Sequence, residues 1–144
     1  MSLFTTNSPS TQLNVGLTIL RGVIGAIFIA HGAQKLFVYG FDGVTGAFGS
    51  MGIPMPALVG PGVALLEFVG GLALVVGLLT RLAALGLGLT MAGAILLVHG
   101  SAGLFMPNGY EFALSLLAAS TFLALVGAGG YSLDAMIGRR RTVA

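Results

Sequence analysis

Few side chains in this 144-residue chain can take part in chemistry, because it holds six Lys/Arg, four Asp/Glu, two His and no Cys. Their positions are informative. Arg21, His31, Lys35, Glu67 and His99 all fall on or at the ends of apolar stretches, and Glu111 opens another. A charge at the centre of a membrane helix costs about 2.5–3.5 kcal/mol on insertion scales, so such residues face inward, pair, and mark sites. His31, Lys35, His99 and Glu111 form a candidate binding set of hydrogen-bond donors and proton-exchanging groups near one end of the helices. The simpler alternative for them is a solvated rim of polar helix ends. Glu67 is the deepest acid, and Glu67 with Lys35 is the candidate catalytic pair. Arg21 and Glu67 are expected to form a structural ion pair between two helices, the alternative being a Glu67 that relays a proton.

Several chemistries are excluded or disfavoured. Without cysteine there are no disulfides, thiol relays, iron–sulfur clusters or thiolate zinc sites. The glycine-rich strings follow no strand and lack a P-loop lysine, and no serine occupies a nucleophile elbow. A catalytic zinc site needs three protein ligands, so no metal is assigned to the two histidines and Glu111. Bis-histidine haem through His31 and His99 is geometrically conceivable but ranks low.

The elements that position these residues follow from composition. The chain is 56% hydrophobic and 7% charged, with a mean hydropathy of +1.04. A soluble domain carries about a quarter charged residues, so this chain belongs in a lipid bilayer. No basic stripe with interleaved aromatics supports nucleic-acid binding. Spanning about 30 Å of hydrocarbon takes roughly 20 apolar residues in a helix. Four stretches at about 15–37, 57–79, 82–98 and 112–130 meet or approach that length. The expected fold is therefore an all-α membrane protein, a four-transmembrane-helix bundle, spanning residues 15–134. Residues 1–14 read as a flexible cytoplasmic tail and 135–144 as a basic one. The segment 38–56 reads as a long glycine-rich loop, and 99–111 as a second loop turning at Pro107-Asn108-Gly109.

At about 100° per residue, Arg21, Gly25, Phe28, His31, Gly32 and Lys35 share one face of the first helix. Gly60, Ala64, Glu67, Gly70, Gly71 and Gly77 share a face of the second, and small residues on such faces let membrane helices approach closely. With an even number of spans both termini lie on one side. Arg81 and Arg139–Arg141 share that side, so the positive-inside rule places both termini in the cytoplasm, with Lys35 the single residue against.

An internal duplication is also expected. Residues 26–37 recur 68 positions later as 94–105, with six of twelve identical, including both His-Gly pairs. Gly40-Phe41-Asp42 and Gly109-Tyr110-Glu111 follow the two copies.

Taken in order, Arg21, His31-Gly32-x-x-Lys35-Leu36, Gly52-Ile53-Pro54-x-Pro56, Glu67-x-x-Gly70-Gly71, Gly77-Leu78-x-Thr80-Arg81, Asn108-Gly109-Tyr110-Glu111 and Gly130-Tyr131-Ser132-Leu133-Asp134 resemble the DoxX family of small bacterial membrane proteins. The resemblance runs from about residue 18 to 134. It implies a four-helix protein of the bacterial inner membrane. It also implies redox association, since the family is named for relatives in thiosulfate:quinone oxidoreductase. The expected function is a membrane subunit associated with an oxidoreductase, binding a quinone through His31, Lys35, His99 and Glu111. A protein partner in a redox complex, or a homo-oligomer, is expected with it. The alternative is a non-catalytic structural or assembly subunit of a larger complex. Solute or proton passage through the bundle ranks below both, because four spans enclose little lumen.

Overall fold

The computed structural model describes residues 9–141, and side chains from Thr11 to Gly138. Every regular element among the described residues is helical. Helix α1 spans Pro9–Ala33 and runs into a π-helical turn, Gln34–Tyr39, before α2, Gly40–Ser50. Helix α3 spans Pro56–Val76 and α4 spans Thr80–Ala94. A second π turn, Ile95–His99, and a 3₁₀ turn, Gly100–Ala102, extend α4, and α5 (Glu111–Val126) and α6 (Leu133–Arg141) follow. Three stretches are long and apolar enough to cross a bilayer: Thr11–Ser50, Pro56–Val76 and Thr80–Ala102. Helix α5 is apolar and 16 residues long, about 24 Å at 1.5 Å per residue. The all-α four-helix expectation holds.

Two boundaries differ from the sequence reading. The segment 38–56 is mostly helix rather than loop. The chain turns a corner at Gly40, whose φ of 67° lies in the left-handed region, and α2 then packs along α3. Val44 is fully buried there, so tertiary packing overrides the poor helix propensity of a glycine-rich stretch. Residues 9–14, expected as tail, are the first turns of α1. Asn14 explains it, because its Oδ1 accepts the Gly130 N–H at 2.7 Å and ties the helix start to the far end of the chain. Part of the expected basic tail is likewise α6; residues 1–8 and 142–144 lie outside the described residues, as do the side chains of Arg139–Arg141.

Helix α1 packs chiefly on α3, and α4 on α5. The α1–α3 contact is backbone to backbone: a Cβ on Gly25 or Gly71 would stand 2.7 Å from the other's carbonyl oxygen. The core joining the helices holds Leu17, Ile24, Phe28, Leu74, Leu87, Leu116 and Leu123.

The α3–α4 hairpin is closed from a distance. Leu79 sits at φ 48° without being glycine, a conformation that needs support from its surroundings. Asp134 supplies it by accepting the N–H of Leu79 at 2.7 Å and of Thr80 at 2.9 Å. That carboxylate caps the start of α4, where the first backbone donors lack partners within the helix.

Candidate functional site: a cavity around a buried ion pair

The α1–α3 register decides which charges meet. The helices are antiparallel and cross at Gly25 and Gly71, so moving toward the end of α1 means moving toward the start of α3. Lys35 therefore arrives opposite Glu67, and its Nζ donates to Glu67 Oε2 at 2.6 Å. The Glu67 side chain is 4% exposed and that of Lys35 21%. Lys35 lies inside the π turn, a wider turn that recurs at functional positions in helices.

The same register corrects the expected Arg21–Glu67 pair. Arg21 is on the opposite side of the crossing, where its neighbour is the Gly77 turn: a Cβ there would collide with the guanidinium. Arg21 instead donates through Nη2 to the Tyr131 carbonyl. Its Nε and Nη1 are buried without a hydrogen-bond partner among the described residues. Arg21 thus belongs to a structural latch with Asn14, Ser132 and Asp134. Sequence reading matched the Gly130–Asp134 segment to the family pattern but did not foresee this capping role.

Above the ion pair lies a cavity of about 540 Å³, within the size range of small-molecule sites. His31, Lys35, Glu67 and His99 all line it. The remaining wall is apolar, with Phe28, Phe48 and Phe112 contributing rings and Val59, Val63 and Leu66 lining the α3 side. The His31 ring stands 6.0 Å from the Phe112 ring, centroid to centroid. His99 closes the second π turn and its Nδ1 lies 3.0 Å from the Asn108 carbonyl oxygen. Thr90, which sequence reading passed over, also lines the cavity, with its hydroxyl donating to Leu87 O at 2.7 Å.

Glu111 is the exception. It lines no part of this cavity; its Oε1 accepts the Met106 N–H at 2.8 Å and braces the preceding loop. The carboxylate is spent on the backbone amide of a turn, and Glu111 is removed from the binding set. Tyr39, Phe41 and Phe105 are exposed and likewise lie outside the cavity wall.

Chemically, the site combines a buried, charged donor–acceptor pair with two imidazoles at the edge of an apolar chamber. It suits a largely apolar ligand that carries polar atoms. The family model for DoxX matches residues 16–100, which include His31, Lys35, Glu67 and His99. The chain belongs to the DoxX family. Among DoxX-like relatives, a Bacillus subtilis protein named "Putative oxidoreductase CatD" is 37% identical over 126 residues, covering 88% of this chain and 90% of that protein. An Escherichia coli protein named "Inner membrane protein YqjF" is 34% identical over 133 residues, covering 88% of this chain and 95% of that protein. A Mycobacterium tuberculosis protein described as an uncharacterized membrane protein is 33% identical over 134 residues, covering 85% and 82%. No solved structure matches the chain.

Proposed function

We propose that this DoxX protein is the membrane component of an oxidoreductase and holds a quinone ring in the cavity beside the Lys35–Glu67 pair. The observation that carries the reading is the buried ion pair at the edge of a largely apolar, aromatic-lined cavity of about 540 Å³. The residues fit such a group: a quinone needs apolar contact on its faces and donors at its two carbonyl oxygens. The relative named "Putative oxidoreductase CatD" supports the redox part of the reading alone.

A bound quinone would accept two electrons and two protons. His31 or His99 would donate a hydrogen bond to a carbonyl oxygen, Lys35 Nζ would place positive charge at the ring edge, and Glu67 would pass protons to that edge, both drawn in turn from solvent. Charge held in a low-dielectric site acts more strongly than in water. The chain has no electron carrier among its side chains, so electrons would come from a redox partner or directly from a reductant. Any thiol chemistry belongs to that partner, since this chain has no cysteine. The excess of Arg at the Arg81 end supports a topology with both termini in the cytoplasm and the His99 end on the opposite side of the bacterial inner membrane.

The test is titration of the purified protein with a menaquinone or ubiquinone analogue, alongside His31→Ala, His99→Ala and Lys35→Met. Losing a hydrogen bond of about 0.5–1.5 kcal/mol weakens binding about 2–10-fold. Equal affinity of wild type and all three variants would overturn the assignment and leave the assembly-subunit reading. A stoichiometric redox partner retained by the variants would then support that reading.

A further inference from the structure

Resting on the quinone reading, we infer that the ligand carries an apolar tail and reaches the cavity from within the bilayer, through the seam between α3 and α4, with Gly93 setting its width. Among the described residues the other helix–helix seams are in closer contact, and Phe48, Met51 and Ile53, at the end of α2 and in the link to α3, form the remaining wall. Between α1 and α3, Gly25 meets Gly71, and a Cβ at Gly32 would collide with the Phe68 backbone. Between α4 and α5, a Cβ at Gly88 would touch Ser120 and Leu117 at 3.5 and 3.7 Å. Where α1 approaches α5, the His31 and Phe112 rings stand together.

The α3–α4 seam differs along its length. It is tight near the hairpin, where Gly70 faces Leu87 and Gly86 faces Leu66, with built Cβ positions 3.3 and 3.2 Å from those side chains. Further along it opens. A Cβ on Gly93 would meet nothing within 4 Å, although Gly93 lines the cavity together with Val59 and Val63 of α3. Leu89 and Leu97 also line it while being 65% and 57% exposed, so they stand on its outer rim, facing lipid. From Gly86 to His99 the lined stretch extends about 20 Å along the helix axis at 1.5 Å per residue. A ring seated against Lys35 and Glu67 fills only part of that length, and the remainder is apolar apart from Thr90 and His99. The occupant that matches both parts is a ring with a polar edge and a hydrocarbon tail.

The experiment compares two probes in lipid nanodiscs: a quinone ring with only short substituents, and the same ring with a long isoprenoid tail. Affinities are referred to concentration within the bilayer, which removes simple partitioning. Wild type is expected to bind the tailed probe at least tenfold more tightly. In Gly93→Trp and in the rim variant Leu97→Trp that preference falls toward onefold. The second variant alters an exposed position and keeps the test valid should the first fail to fold. A wild type that binds the short probe in a Lys35-dependent way but gains nothing from the tail overturns the lateral route alone, as does an unchanged preference in folded variants. Binding of neither probe overturns the route and the quinone reading together.

Discussion

Lys35 and Glu67 must be understood as one unit. Either charge alone, at this depth, would be a buried ion without a counterion, and breaking such a pair by removing one partner costs about 3–5 kcal/mol. Removing both leaves two neutral side chains of similar shape and costs far less. Lys35→Met and Glu67→Gln are therefore each expected to lower the thermal unfolding midpoint in detergent, while the double variant recovers most of the loss. Additive losses would show that the two side chains do not pair. Arg21 behaves differently, since its acceptor is a backbone carbonyl in the segment before α6. Its role is to hold α1 against the segment before α6, and its distance from Glu67 keeps it out of the binding site.

The helices themselves were largely legible, because four apolar stretches in a chain with 7% charge leave few alternatives. What the sequence could not show was register. Which charge faces Glu67 depends on where α1 crosses α3, and the crossing at Gly25 and Gly71 favours Lys35 over Arg21 by geometry alone. Helix α2 was hidden for a related reason: its glycines signal a loop, and only the burial of Val44 against α3 reveals why it is helical. Glu111 was misplaced because proximity along the chain to a site says nothing about which way a carboxylate turns. His31 and His99 were legible through the repeated His-Gly pair, and the structure brings both to one cavity. The latch at the opposite end yields its own prediction. Asp134 holds the strained Leu79 turn through two backbone N–H groups, so Asp134→Ala is expected to cost about 1–2 kcal/mol, the upper range for a lost helix cap. It should do so with quinone-analogue affinity unchanged, which thermal unfolding and titration of the same sample would check. A large affinity loss would tie the latch to the site.

Across the bilayer, the protein places two unlike ends. One holds the ion pair, both histidines and the open part of the cavity; the other holds Arg21, Arg81 and Asp134 in backbone contacts. The arginines concentrate at the second end, and the proposed topology puts that end on the cytoplasmic side, where positively charged loops stay. In that proposed topology the cavity opens toward the outer half of the membrane, and the electron donor of the proposed function would act from there or through the lipid-facing side. Natural absence of cysteine makes the orientation directly measurable, because any introduced thiol is the sole target. Ser101→Cys, exposed beyond the second π turn, should react with a membrane-impermeant maleimide in intact spheroplasts. Met136→Cys on α6, also exposed, should react only after permeabilisation. The reverse pattern would invert the bundle, placing the histidine end in the cytoplasm and moving the search for an electron-donating partner to cytoplasmic reductases.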